Sequence, residues 1–343
     1  MVGFVADVRD SESDLLKVTS SGLYCPPGDF YIDPWQPVPR AVVTHAHADH
    51  ARGGMGAYWC AASGEELLRL RVGREAVVSA LPYGQPTRLG EVRLSLHPAG
   101  HVLGSAQVRM EAGGEVAVVT GDHNATHAHA VAEPFEPVAC DTLITECTFG
   151  LPIYQWPDPA EVREELLQWW RHNRRKGRTS VLPCYPLGKS QRVLAALTEE
   201  DAPIALHGAG RGFLPHYEAA GIRFPPLTEL DEAGLRTLKG DGLVLISFAG
   251  SEPAILKKLG ALSFGAASGW MQVRGLRRNR DFDRGFVLSD HSDWHGLLHC
   301  IRASGARRIG VTHGQTEPFA RYLTEQLGLE CFVVPTRFAS GGE

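Results

Sequence analysis

The chain has 343 residues, of which 43% are hydrophobic and 21% are charged. At roughly 150 residues per domain, this length predicts about two domains, and the composition excludes a disordered chain. The formal net charge of −5 excludes a uniformly basic binding protein but not a local basic groove. None of the seven cysteines forms a C-x-x-C pair, which argues against a disulfide framework. We find no secretion signal and no apolar run of about 18–20 residues, so a cytoplasmic protein is expected.

The first half of the chain is predicted to contain short strands separated by turns. Apolar or alternating runs predict strands over residues 30–32, 40–44, 92–96, 102–110, 115–120 and 143–145. Gly113 and Gly114 are placed in a hairpin turn between two of these strands.

From Asp158 onward, predicted strands alternate with predicted helices. Asp158 is expected to cap a helix over residues 159–172, with Pro159 in its first turn. Further helices are predicted over residues 190–197, 293–303 and 317–327, and strands over residues 179–182, 243–248, 286–289, 308–312 and 331–334. The alternation indicates a smaller α/β unit across roughly residues 155–285.

The strongest functional signal is the segment THAHADH at residues 44–50, which follows a predicted strand. It places three imidazoles and a carboxylate within six residues, and zinc, manganese and iron accept these nitrogen and oxygen ligands. A turn at this position would direct the side chains towards a common centre. The alternative is a polar loop that faces solvent, but four potential ligands at this spacing favour a metal site.

Three further candidate ligands each follow a predicted strand. They are His101, Asp122 and His313. A single histidine after a strand is usually a loop residue, but strand ends converge on one edge of a sheet sandwich, where ligand-binding loops lie. Together, these three residues therefore extend the candidate metal site that begins with the histidines of residues 45–50.

These motifs resemble those of the metallo-β-lactamase superfamily, whose H-x-H-x-D-H signature matches residues 45–50. The segments TECTFG at 145–150, LSDHSD at 288–293 and THG at 312–314 are similar to motifs of its β-CASP nuclease group. The segments GRTSVLP at 177–183 and LGKSQ at 187–191 resemble the start of the cap domain of that group. The resemblance covers most of the chain.

Within that group, four segments look like those of bacterial DNA-ligase-associated exonucleases: LYCPPG at 23–28, IDPW at 32–35, LPYG at 81–84 and FGLPIY at 149–154. The sequence also departs from the pattern. Residues 123–129 read HNATHAH where a tyrosine and a lysine would be expected, and Cys147 replaces a commoner serine. The cap, at about 130 residues, is short for the group.

The resemblance implies an α/β fold, a four-layer αβ/βα metallo-β-lactamase sandwich with an inserted, smaller α/β β-CASP cap domain. The sandwich would comprise residues 1–154 and 286–343, and the cap residues 155–285.

The resemblance also implies two divalent ions, Zn²⁺ and/or Mn²⁺. His45, His47 and His101 would hold the first ion, and Asp49, His50 and His313 the second. Asp122 would bridge the two. Such a pair lowers the pKa of water and stabilises both the attacking and the leaving oxygen of a phosphodiester. Asp49 is expected to serve in catalysis as well.

His291 is the candidate for an additional hydrogen-bond donor to the phosphate or the leaving oxygen. Glu146 is expected to orient its imidazole and keep it charged. The alternative for His291 is a surface position at the start of the helix predicted from Asp293.

Candidate nucleic-acid contacts lie in or beside the cap. The basic candidates are Arg174, Arg175, Arg178, Arg277 and Arg278. Lys189 and Ser190 lie at a predicted helix start, where backbone N–H groups can bind a phosphate. Taken alone, each cluster of arginines is also compatible with a solvated turn. A nuclease site nearby favours contact between these arginines and phosphates.

The sequence therefore predicts a metal-dependent DNA exonuclease in repair that acts on single strands or ends. An RNA-processing β-CASP ribonuclease is the main alternative, because a histidine at position 313 resembles the RNA-cleaving branch. A small-molecule metallo-hydrolase would lack the Glu146–His291 pair and the inserted cap. The resemblance also implies a functional association with a DNA ligase and a helicase, and no membrane partner.

Overall fold

The computed structural model describes residues 15–247, 254–273 and 282–337. The chain divides into two compact units. Unit 1 contains the described residues of Met1–Pro152 and His291–Gly342, and unit 2 those of Ile153–Asp290. The described part of the chain has no helix that is both long and apolar enough to cross a membrane.

The first sheet of unit 1 has six strands in chain order. Its first three strands pair antiparallel, and the others are parallel. The strands are β1 (Lys17–Thr19), β2 (Gly22–Cys25), β3 (Phe30–Ile32), β4 (Arg40–Val42), β5 (Ala57–Ala61) and β6 (Val78–Leu81). Helix α1 (Glu65–Val72) follows β5.

The second sheet of unit 1 has the strand order β18-β17-β11-β10-β9-β8-β7. Strands β10, β11, β17 and β18 are parallel neighbours, whereas β7 to β10 form antiparallel hairpins. The strands are β7 (Thr87–Leu89), β8 (Val92–Pro98), β9 (Ala106–Ala112), β10 (Glu115–Val119), β11 (Thr142–Cys147), β17 (Arg308–Gly314) and β18 (Glu330–Val333).

A shared apolar core contains residues from both sheets of unit 1. Ile32 and Val42 from the first sheet belong to the same buried cluster as Leu94, Val108 and Ile144 from the second. Two late helices, α6 (Trp294–Ser304) and α7 (Thr316–Leu327), contribute to another cluster with β11 and β17.

Unit 2 is built around a five-stranded parallel sheet with the order β13-β14-β12-β15-β16. The strands are β12 (Thr179–Cys184), β13 (Ile204–Leu206), β14 (Leu243–Ser247), β15 (Leu262–Ala267) and β16 (Arg284–Phe286). Strand β12 is buried at every residue, as expected for a central parallel strand. The helices are α2 (Pro159–Arg175), α3 (Lys189–Ala195), α4 (Gly210–Ala219) and α5 (Glu232–Leu238).

The expected α/β class is confirmed, and most predicted elements are found with shifted ends. Helix α2 begins as expected, because Asp158 accepts a hydrogen bond from the Ala160 amide. The strand predicted over residues 102–110 was wrong at its start, since β9 begins at Ala106. Gly104 has φ +77°, and the Ser105 hydroxyl accepts the His101 amide, so this segment turns instead.

Candidate metal centre

The histidine cluster lies in a turn after β4. The Ala51 amide donates to the His47 carbonyl at 2.8 Å, which closes one helical turn. The rings of His45 and His50 lie 4.1 Å apart, and those of His45 and His47 lie 4.7 Å apart. The turn therefore directs these imidazoles to one side, as expected.

Asp122 is the carboxylate around which the histidines gather. Its Oδ1 lies 3.4 Å from His50 Nε2, and its Oδ2 lies 3.5 Å from His45 Nε2 and 3.8 Å from His101 Nε2. The preceding Gly121 has φ +58°, and a Cβ there would lie 2.6 Å from the Thr44 side chain. Glycine is thus needed for the end of β10 to approach the histidine turn.

The remaining candidate ligands lie on two sides of this group. His101 Nε2 lies 3.2 Å from His47 Nδ1. His313, near the end of β17, stacks on His50 with 5.4 Å between the ring centroids. Asp49 Oδ2 lies 3.7 Å from His50 Nε2. The structure thus brings together all seven residues singled out as metal ligands.

Asp33, which sequence reasoning missed, orients two parts of this group. Its Oδ1 accepts the Thr44 amide at 2.8 Å, and its Oδ2 accepts the Thr44 hydroxyl at 2.6 Å and lies 2.7 Å from His50 Nδ1. The Thr44 hydroxyl, having donated to Asp33, accepts the Nδ1 proton of His45 at 3.1 Å. Nε2 of each histidine is therefore directed towards Asp122. The sequence signals were an aspartate directly after β3 and its place in the segment IDPW at residues 32–35.

The donor atoms of these residues and the burial of those atoms indicate whether the site suits divalent ions. Nε2 of His45 and of His50 are buried and have no hydrogen-bond partner among the described residues, although such atoms are normally paired. Ligand atoms of His45, His47, His101 and Asp122 all lie within 4.8 Å of one another. Buried imidazole nitrogens clustered with a carboxylate are a donor set that zinc and manganese accept.

The charges around the cluster shift several pKa values. Burial and the neighbouring His50 lower the pKa of His45 well below its ordinary value. Burial alone would also lower the pKa of His50, but the carboxylates of Asp122 and Asp33 raise it well above the usual range. Burial opposes ionisation of Asp122, yet His50 and His291 hold its pKa well below normal. The cluster therefore keeps Asp122 ionised.

Beside this group, Glu146 and His291 form a buried pair. Glu146 Oε1 lies 2.7 Å from His291 Nδ1, and Oε2 accepts the Thr148 hydroxyl at 2.5 Å. Burial opposes ionisation, but His291 lowers the pKa of Glu146 to about 2. An ionised carboxylate only accepts hydrogen bonds, so His291 donates through Nδ1. His291 Nε2 lies 4.0 Å from Asp122 Oδ2, which places it next to the candidate ligands.

Comparisons with known proteins show which proteins the chain resembles. The chain is 33% identical over 317 residues to a protein of Opitutus terrae named Probable DNA ligase, a match that covers 92% of this chain and 30% of that protein. It is 27% identical over 133 residues to RNase aCSPSF2 of Saccharolobus solfataricus, covering 38% of this chain and 27% of that protein. The chain is similar to nucleases of the β-CASP metallo-β-lactamase family.

The chain spans about a third or less of the length of these curated relatives. No family model matches it. A crystal structure of a protein of unknown function from Enterococcus faecalis V583 is similar, with a TM-score of 0.58 and 14% identity. The match covers 87% of this chain and 79% of that chain, and at this identity it bears on the fold alone.

Unit 1 also has a cavity of about 60 Å³ beside Asp49, His50 and His313. Its walls include Asp33 and Thr312 as well as apolar residues such as Ile144. This volume is enough to hold several waters.

The predicted nucleic-acid residues of unit 2 differ in exposure. Arg174, Arg175 and Arg178 are exposed, and Arg174 pairs with Asp241 at 2.6 Å. Arg277 and Arg278 lie outside the described residues.

Lys189 and Ser190 begin α3, but each is only 1% exposed. The Ser190 hydroxyl donates to the Tyr185 carbonyl at 2.7 Å, and Lys189 Nζ lies 5.9 Å from the centre of the Tyr185 ring. Both side chains are therefore buried, and phosphate binding at the backbone N–H groups of this helix start stays a prediction.

Proposed function

We propose that this protein is a metal-dependent nuclease that hydrolyses DNA phosphodiester bonds at a dinuclear centre. The observation that carries the proposal is the gathering of seven candidate ligands, Asp122 and six residues around it, next to the buried Glu146–His291 pair. The four-layer αβ/βα sandwich with an inserted cap belongs to the same proposal, and the core shared by the two sheets of unit 1 supports it.

The two oxygens of Asp122 support a bridging role. Oδ1 is nearer to His50, and Oδ2 faces His45 and His101. We assign His45, His47 and His101 to one ion, and Asp49, His50 and His313 to the other. When bound, zinc or manganese ions would lower the pKa of water and stabilise the charge that develops on the phosphate.

We assign the proton transfer to residues of the chain itself. His291, held through Nδ1 by Glu146, presents Nε2 on the Asp122 side. A protonated Nε2 there donates to a phosphate oxygen or to the leaving oxygen. Glu146 favours the protonated imidazole, because it is ionised and buried against it. Asp49 is assigned to the reaction as well as to the second ion.

DNA is the favoured substrate because of the relative named as a DNA ligase. That match covers 92% of this chain but only 30% of the relative, which supports a nuclease segment joined to ligase chemistry. We therefore propose repair of single strands or ends, in the cytoplasm, in functional association with a ligase and a helicase. The exposed Arg174, Arg175 and Arg178 are proposed phosphate contacts, together with Arg277 and Arg278.

RNA processing is the second candidate. The similarity to RNase aCSPSF2 favours it, as does the histidine at position 313. A small-molecule hydrolase is less well supported, since its chemistry requires neither the Glu146–His291 pair nor a second unit.

Cleavage of end-labelled single- and double-stranded DNA and RNA, with Mn²⁺, Mg²⁺ or Zn²⁺, tests the proposal. Wild-type protein is expected to shorten DNA from an end, whereas Asp122→Ala and His47→Ala should not. His295→Ala is the matched control, because this histidine is exposed on α6 and should retain activity. Cleavage of RNA alone would establish the second candidate, and ester hydrolysis without phosphodiester cleavage would overturn both.

A further inference from the structure

Two segments that are far apart in sequence form hydrogen bonds with each other next to the candidate site. One follows Asp122 and comprises residues 123–126, and the other follows His291 and comprises residues 292–293. The Ser292 amide donates to the His123 carbonyl at 2.7 Å. The Ser292 hydroxyl donates to the same carbonyl at 3.1 Å and accepts the Ala125 amide at 2.8 Å. Ser292 therefore connects the residue next to Asp122 with the residue next to His291.

Thr126 makes a second, reciprocal connection. Its hydroxyl accepts the Asp293 amide at 3.0 Å and donates to Asp293 Oδ1 at 2.8 Å. The same Oδ1 accepts the Gly296 amide at 2.9 Å and so caps α6. Thr126 thus fixes the segment after Asp122 to the start of the helix that follows His291.

The close approach of the segments depends on two local features. Asn124 Oδ1 accepts the Thr126 and His127 amides, a turn that orients Thr126. On the helix side, a Cβ at Gly296 would lie 2.2 Å from the Thr126 hydroxyl oxygen. Only glycine leaves room for this contact.

We propose that Thr126, Ser292 and Asp293 form a clasp that sets the position of His291 relative to Asp122. They are positioning residues, and the inference rests on the proposed nuclease function. Glu146 Oε1 accepts the His123 amide at 2.9 Å and the His291 Nδ1 proton at 2.7 Å. His291 is thereby held through its ring by Glu146 and through its backbone by the clasp.

The clasp controls catalysis through geometry. His291 Nε2 lies 4.0 Å from Asp122 Oδ2, and a donor misplaced by about 1 Å lowers a rate by about 100-fold. Ser292 and Asp293 are buried, so water does not readily replace the lost hydrogen bonds.

The test compares kcat and KM for cleavage of single-stranded DNA, with metal content measured on each variant. Thr126→Val and Ser292→Ala are expected to lower kcat by about 10- to 100-fold, with KM and bound metal unchanged. Thr126→Ser retains the hydroxyl and should restore kcat. Ser304→Ala removes a buried hydroxyl that bonds the backbone at the other end of α6, and it should leave kcat unchanged.

Wild-type kcat in folded, metal-loaded Thr126→Val and Ser292→Ala would overturn the clasp. A second readout separates this failure from failure of the nuclease proposal. The ¹⁵N signals of the His291 imidazole should shift in Ser292→Ala but not in Ser304→Ala. If wild-type protein cleaves no nucleic acid, the nuclease proposal fails, and unchanged His291 signals in Ser292→Ala would then overturn the clasp as well.

Discussion

His291 Nδ1 lies 2.7 Å from Oε1 of Glu146, and each side chain is about 2% exposed. The carboxylate also accepts the His123 amide and the Thr148 hydroxyl. Glu146 is therefore fixed on three sides and fixes His291 in turn, so the pair is built to hold one imidazole in one orientation.

Replacing Glu146 by glutamine is expected to lower kcat for DNA cleavage by about 100-fold, within the range of general acid–base effects. The amide has no charge to stabilise a protonated His291, while the candidate metal ligands remain in place. Steady-state kinetics and metal analysis check this. Glu136→Gln is the control, since Glu136 lies 3.0 Å from His97 in an exposed His–Glu pair. Equal kcat in wild type and Glu146→Gln would contradict the assigned role.

Asp33→Asn is expected to weaken metal binding by about 10- to 100-fold, the usual effect of losing a carboxylate that orients a ligand. The two carboxylate oxygens accept the Thr44 amide, the Thr44 hydroxyl and His50, whereas an amide has one accepting oxygen and would turn its NH₂ group towards at least one of these donors. Competition with a chromogenic chelator measures the affinity. The exposed Asp29, which accepts from Tyr24, provides the control Asp29→Asn. Unchanged affinity in Asp33→Asn would show that Asp33 does not orient His50.

Metal binding is expected to release protons at neutral pH. The pKa of His50 lies well above its usual value in the metal-free protein, so its imidazole carries a proton that must leave before Nε2 binds an ion. Affinity should therefore rise with pH through the His50 pKa and fall on acidification. Calorimetric titrations in two buffers of different ionisation enthalpy measure the protons released. Binding enthalpies that do not depend on the buffer would contradict this.

Gly314→Ala is expected to destabilise unit 1 and disturb His313. Gly314 has φ +82°, and a Cβ there would lie 2.3 Å from the Thr148 Cα and 2.5 Å from the Cys147 carbonyl oxygen. Gly113 has φ +60° with no heavy atom near its Cβ position, so Gly113→Ala isolates the cost of the backbone conformation. The overpacking at Gly314 should add about 1–3 kcal/mol to that cost. Thermal unfolding measures the difference, and equal midpoints for the two variants would refute it.

The sequence predicted the elements whose signals are local. Asp158 and Pro159 marked the start of α2, and the alternation from Val92 marked β8, because capping and side-chain periodicity depend on adjacent residues. The cluster at residues 45–50 also has a local signal, since H-x-H-x-D-H is a dense and specific pattern, and its role as a set of metal ligands stays a prediction.

Features that depend on distant contacts could not be predicted in this way. Asp33 acts on residues 11 and 17 positions later, and the Ser292 and Thr126 hydrogen bonds join segments 167–169 residues apart. The helix start at Lys189 and Ser190 was predicted, but the packing that buries both side chains was not visible in the sequence. In each case the side chain is defined by its tertiary neighbours, which the local sequence does not show.

Titration of metal-stripped protein with Mn²⁺ or Zn²⁺, with cleavage of end-labelled single-stranded DNA as the signal, tests the central claim most directly. We predict no cleavage without metal, activity that saturates at two ions per chain, and none at any metal concentration in Asp122→Ala. Full cleavage by the metal-stripped protein, or by Asp122→Ala, would contradict a dinuclear centre built around Asp122.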